Sequence, residues 1–267
     1  MAHWKSILAA FAVSMASITL PSISYANNYQ DLWWNPDESG WGINISQQGD
    51  VLFATWFIYG ANSQPTWIFL SNAKRSGALG NTFIGEIAQA ISGSPFSAVP
   101  FVPSTFANFR QVGSAKFVFS DARTGSLEYA IDGVTVIKQI TRQSISVFNL
   151  TGTYFGGLKR DGSGCINAAL NGSLLNQATF SVSHNIATGS LTITEIGGTQ
   201  CNFSGNTQVF GSIVEGSGNL TCSAENITGT WTMREGRPSP NAFSALLTIR
   251  PSGESCSLNA TIGGLKP

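Results

Sequence analysis

Beyond its first 26 residues the chain sustains no helical repeat. Its apolar residues come in short runs broken by turn-forming clusters, and that pattern restricts it to strands. Gly42 to Ser46 alternates, and Val51 to Tyr59 is β-branched and aromatic. Gly60-Ala61-Asn62-Ser63-Gln64-Pro65 is a turn cluster, and Thr66 to Ser71 is a further strand, which together make a hairpin signal. Gln48-Gly49-Asp50 forms a similar turn between the preceding pair. Ser92 to Ser104 carries Pro95, Pro100 and Pro103 and reads as a surface loop. Ala115 to Ser120, Gly125 to Ile131 and Val134 to Arg142 then form a meander, with Asp132-Gly133 as a strong hairpin turn. The expected fold is all-β, with two β-sandwich or partly closed β-barrel domains, the second disulfide-linked.

The ends and the charge set further bounds. Lys5 precedes a mostly apolar run from Ile7 to Leu20, and Ser24-Tyr25-Ala26 is a small-x-small cleavage signature. Residues 1–26 therefore read as a secretory signal peptide. The apolar run is short for a membrane span, which needs roughly 20 predominantly apolar residues, and no later stretch qualifies. The expected location is secreted or periplasmic, in the cell envelope. Charged residues make up only 10% of the chain, with acids and bases in balance, so no basic patch supports nucleic-acid binding.

Residues 27–145 form a tryptophan-rich unit without cysteine, and residues 146–267 hold all four cysteines, Cys165, Cys201, Cys222 and Cys256. An even count in an exported chain reads as two disulfides rather than a metal site. There is no CxxC pair, and His184 is the only histidine after the signal peptide, so no metal or cofactor is expected. Of the three possible connectivities, we expect Cys201 with Cys222, flanking a hairpin-like stretch, and Cys165 with Cys256. The second unit also carries a weak internal repeat. Thr151-Gly152-Thr153-Tyr154 is echoed by Thr228-Gly229-Thr230-Trp231, and Leu191-Thr192-Ile193 by Leu247-Thr248-Ile249, each copy followed by a cysteine.

Four of the seven tryptophans fall between residues 31 and 60. Trp33-Trp34-Asn35-Pro36, Glu38-Ser39-Gly40-Trp41-Gly42-Ile43-Asn44 and Ala54-Thr55-Trp56-Phe57, continuing through Pro65 and Trp67 to Lys138-Gln139-Ile140-Thr141-Arg142, are distinctive. This half resembles a recurrent tryptophan-rich module of secreted proteobacterial proteins, which has no established activity. The resemblance implies export and a bacterial source.

On a strand, Trp33 and Trp34 point to opposite faces, so one can be core while the other is accessible. Trp56 lies in a strongly apolar strand and is expected in the core. Trp41 sits between Gly40 and Gly42, where the backbone can present its ring. Aromatic platforms beside amide side chains suit sugars, and Trp34, Asn35, Trp41 and Asn44 are the candidate ligand-binding residues. Catalysis has little support. Asp37 and Glu38 are neighbours on a turn, which does not place two carboxylates across a glycosidic bond. No GxSxG elbow surrounds any serine, and His184 reads as a surface histidine. The functional expectation is a non-catalytic binding or accessory module, with carbohydrate or another cell-surface polymer as partner. A structural or protein-interaction role is the alternative, and a hydrolase follows it.

Overall fold

The computed structural model describes residues 28–77, 80–147 and 149–267. The expected signal peptide, residues 1–26, lies outside them. The chain forms sixteen strands in two closed antiparallel barrels of eight. The first runs through β1 (Asp31–Trp34), β2 (Gly42–Gln48), β3 (Val51–Tyr59), β4 (Pro65–Ser76), β5 (Thr82–Ala90), β6 (Phe109–Phe119), β7 (Thr124–Ile131) and β8 (Val134–Arg142). The second runs through β9 (Gly152–Gly162), β10 (Gly172–Asn185), β11 (Ser190–Ile196), β12 (Cys201–Phe210), β13 (Ile213–Cys222), β14 (Ile227–Ser239), β15 (Ala242–Pro251) and β16 (Leu258–Leu265). Among the described residues no helix is long and apolar enough to cross a membrane.

The all-β expectation holds, and of its two architectures, sandwich and partly closed barrel, the barrel is the one present, with both barrels closed. Every strand pairs with its sequence neighbour, and the last returns to the first. Closure pairs the first strand of each barrel with its last, where a sandwich would leave both as edges. The two closures differ in extent. In the first barrel β1 meets β8 over two register pairs, Trp33 with Arg142 and Trp34 with Thr141. In the second, β16 meets β9 over seven, from Asn259 with Asp161 to Leu265 with Phe155. Glycines let the second seam close. A Cβ on Gly156 would collide with the Gly263 carbonyl, so the paired stretch Gly156-Gly157 against Gly263-Gly264 admits no side chain there.

Strand alternation places one face of each strand inside. In β2, Ile43 and Ile45 are buried while Asn44 and Ser46 are exposed. The first interior is aromatic. Tyr29 stacks on Phe119 with ring centroids 3.7 Å apart, and Trp33 is fully buried, its indole N–H donating to the Tyr29 carbonyl at 2.9 Å. Trp56 is buried beside Phe117, as its apolar strand implied. Tyr154, Phe180, Phe203 and Trp231 fill the second interior. Eight strands enclose a space that side chains can just fill. The outer walls are mixed, with polar residues such as Asn44 and Ser46 beside exposed apolar ones such as Phe53, Phe57 and Trp67.

The internal repeat does not occupy equivalent places in strand order. Its first copy spans three strands, β9 to β11, and its second spans two, β14 and β15. Tyr154 and Trp231 are both buried.

The barrels meet end to end through polar contacts. Arg142, its side chain fully buried, bonds the Asp31 carboxylate at 2.6 Å and the carbonyls of Ala122, Gln30 and Asn28. The same Asp31 oxygen accepts from the Ser212 amide and hydroxyl at 2.8 Å each. Ser144 accepts from the Gly211 amide, and Arg123 pairs with Glu215 at 3.3 Å. Each barrel therefore has a near end facing its neighbour and a far end facing away.

Candidate functional site

The far end of the first barrel is hollow. A cavity of about 300 Å³ opens there, lined by the turn between β1 and β2, the ends of β3 and β7, the start of β4 and the middle of β8. Its apolar wall is Trp41, Trp56, Ile58, Tyr59, Ile68, Tyr129 and Ile131, and its polar edge is Glu38, Ser39 and Lys138.

The turn is built locally. Asn35 accepts from the Asp37 amide through its side chain and from the Glu38 amide through its carbonyl, both at 3.0 Å. This Asx-type turn delivers Glu38 to the rim. Gly40, at φ +115°, then reverses the backbone, a conformation that strains other residues. The half-buried Trp41 ring is held in place because its indole N–H donates to Glu38 Oε2 at 3.0 Å. Lys138, one hundred positions later on β8, donates to the same oxygen at 2.6 Å, and its Nζ lies 5.9 Å from the centre of the Trp41 ring. The Lys138 hydrogen bond, reinforced by that of Trp41, holds the Glu38 carboxyl below its ordinary value despite an opposing burial cost. Burial pushes the Tyr129 phenol upward, with Lys138 opposing and Glu38 adding to the shift. Glu38 is thus a carboxylate already committed to an ion pair and an indole. Asp37 lies exposed on the turn.

Of the four ligand-binding candidates only Trp41 lines this cavity. Asn35 shapes the turn that carries Trp41. Trp34 and Asn44 follow the buried Trp33 and Ile43 in their strands and lie on the outer surface of the barrel. Lys138, Tyr129 and Tyr59 escaped the sequence reading. A signal for Lys138 existed: it alternates with the buried Ile140 and Arg142, which places a lysine on the inward side of β8.

A second hollow of about 240 Å³ adjoins the first, sharing Gly40, Ile58 and Tyr59 and continuing over Phe57, Pro65 and Trp67 on the outer face. Tyr59 stands between the two. Aromatic rings wall both hollows, Trp41, Trp56, Tyr59 and Tyr129 the first and Phe57, Tyr59 and Trp67 the second.

The second barrel offers a larger but shallower trough of about 950 Å³ around His184, Thr207, Glu215 and Arg234. Its most chemical residue is already satisfied. His184 is buried rather than on the surface as the sequence suggested, and burial lowers its pKa. Nδ1 accepts from the Leu150 amide at 3.4 Å, which leaves Nε2 protonated to donate to Thr207 Oγ1 at 3.1 Å. The Thr207 hydroxyl in turn donates to the Gly189 carbonyl at 2.9 Å.

The far end of the second barrel is closed. Cys165 bonds Cys256 and Cys201 bonds Cys222, the pairing expected from the hairpin reading. Cys201 and Cys222 face each other across β12 and β13, and Cys165 and Cys256 tie the β9–β10 connection to the β15–β16 connection. Behind them Arg160 pairs with Glu225 at 2.6 Å, and buried Glu195 accepts from Thr199 and from the Cys201 amide. About 20 Å³ of space remains there. Cys165, Cys256 and Glu254 cluster closely enough to hold a metal ion, but the two thiols are spent in the disulfide.

No family model matches this chain, and no curated protein matches it. Among solved structures, a crystal structure from Bacteroides fragilis described as a "putative outer membrane protein" is similar to it, at 14% identity and a TM-score of 0.32 over 85% of this chain and 88% of that one. A likeness at that level carries no argument about this protein.

Proposed function

We propose that this protein is an exported, non-catalytic binding module of the bacterial envelope, and that it holds a carbohydrate end or another surface polymer at the far end of the first barrel. The observation that carries this reading is the Trp41 ring, fixed by Glu38 at the edge of an aromatic-walled cavity. Flat aromatic walls cover the C–H faces of a sugar, while Glu38, Ser39 and Lys138 are placed to meet hydroxyls. An apolar pocket with a few convergent polar groups is the usual form of a small-ligand site, and about 300 Å³ is at the lower end of the usual range. The engaged state of Glu38 favours binding over hydrolysis, because a general acid must be free to give its proton.

Glycan-array screening followed by titration calorimetry tests the reading. Trp41→Ala should weaken any ligand found by roughly tenfold or more, as expected for an aromatic anchor. Trp34→Ala and Asn44→Ala should leave affinity unchanged, since neither lines the cavity. If Trp34→Ala abolished binding and Trp41→Ala did not, the ligand would sit on the outer wall and this site would be wrong.

A further inference from the structure

Between β5 and β6 the chain leaves the far end of the first barrel as a long loop, residues 91–108, and the loop is built in an unusual way. From Ile87 to Phe109 there is no charged residue. Its polar groups bond to one another. Ile91 donates to the Asn108 carbonyl at 2.9 Å, and Asn108 Nδ2 donates to the Ser92 hydroxyl at 2.7 Å. Ser94 Oγ donates to the Val102 carbonyl and accepts from the Val102 amide. Asn108 Oδ1 accepts from both the amide and the hydroxyl of Thr105. The result is an ordered loop with its backbone tied at the base and middle.

The apolar side chains on this loop contact almost nothing. Phe96 is 101% exposed, Phe106 97% and Val99 96%, so among the described residues nothing covers them. Phe101 and Val102 are also exposed. Apolar surface in water is unfavourable by about 25 cal/mol per Å², so phenylalanines held outward on a hydrogen-bonded loop mark a candidate interaction surface. Next to the loop base, on the outer wall, the rings of Trp67, Phe69 and Phe109 lie 5.5–5.7 Å apart in sequence, with Phe57 and Tyr59 alongside.

We propose that this end of the first barrel docks on a lipid bilayer, with Phe96, Val99 and Phe106 entering the acyl boundary and Tyr59 and Trp67 at the headgroup level. Three observations select lipid over a protein partner. Side chains exposed on every side form projections rather than a complementary face, and a fluid apolar phase receives projections without a matching hollow. The absence of charge over 23 residues removes the groups most costly to insert. Tyrosine and tryptophan just behind the apolar tips match the distribution at a membrane–water interface. The cations at this end are already paired, Arg110 with Asp132 at 2.7 Å and Lys138 with Glu38 at 2.6 Å, so the attraction does not depend on anionic lipid.

Co-sedimentation of the full chain, purified after export, with phosphatidylcholine vesicles tests this. The protein should pellet with vesicles, equally at low and high salt. Phe96→Asp and Phe106→Asp should each reduce the bound fraction by roughly tenfold, because a charge replaces an inserted ring. Both variants should keep the wild-type melting temperature, since the rings they replace touch nothing. Trp41→Ala should still bind vesicles, which separates this proposal from the ligand site. Retention of wild type in the supernatant would overturn it. So would vesicle binding that needs anionic lipid and disappears in salt, or a lipid-independent dimer dissolved by Phe96→Asp, which would assign the loop to a second copy of the chain.

Discussion

The two barrels share strand number, direction and up-and-down order, yet they treat their far ends in opposite ways. The second is sealed. Two disulfides, an Arg160–Glu225 pair and the Glu195 network leave about 20 Å³. The first is left hollow, with about 300 Å³ under a rim held by Glu38 and Lys138. The difference teaches where an eight-stranded barrel can acquire a site. Its middle is filled by inward side chains, so space exists only where an end is not capped. In the second barrel crosslinks and ion pairs take that place. In the first, a turn sets one tryptophan at the edge instead of across the opening.

Reduction should separate the barrels most strongly. The chain-entropy model gives about 3 kcal/mol for the loop closed by Cys201–Cys222 and nearly 5 for the longer Cys165–Cys256 loop. Reductant should therefore lower the melting transition of the second barrel by many degrees and leave that of the first in place. Calorimetry with and without dithiothreitol would read two transitions, one of them moving. A single transition that shifts as a whole would show that the polar junction through Arg142 and Asp31 makes one cooperative unit.

A second contrast lies within the first barrel. Trp56→Ala removes a buried ring that packs on Phe117 and walls the cavity, and should cost about 3–5 kcal/mol. Trp41→Ala removes a half-buried ring and one hydrogen bond at the rim, and should cost about 1–2 kcal/mol. Denaturant melts of both variants would rank them. Equal losses would mean that the rim is as much core as the interior, and the cavity would lose its meaning as a site.

The smallest effect concerns pH and belongs to the second barrel. Burial lowers the His184 pKa in the folded state, and an unfolded histidine titrates near 6.5. Above about pH 6.5 the ring is neutral in both states and contributes no pH dependence. As pH falls below that value the unfolded chain takes up the proton first, so the second barrel loses stability on acidification. His184→Gln should flatten the slope of its melting temperature between pH 7 and 5, compared with wild type. An unchanged slope would place the acid sensitivity elsewhere.

Much of this was legible in the chain. The strand at Val134 to Arg142 appears with the bounds its alternation suggested, and the cysteine pairing followed from a hairpin that brings Cys201 opposite Cys222. The site was legible only in part. Trp41 was singled out because glycines frame it, and it lines the candidate cavity. Trp34 and Asn44 were grouped with it by proximity in sequence, but the pleat sends them to the outer wall. The apolar loop was recognised as a loop from its prolines, though nothing local showed that its phenylalanines would remain uncovered.

Period-two alternation by itself determined which side chains face in and which face out, because that depends only on the backbone pleat. It could not decide whether eight strands would stack as a sandwich or close as a barrel, since both bury one face of every strand. Tertiary structure decided that, through the β1–β8 and β9–β16 seams, which join residues 98 to 110 positions apart. It also decided the site. Glu38 and Lys138 meet across one hundred positions only when the barrel closes and sets the β1–β2 turn beside β8.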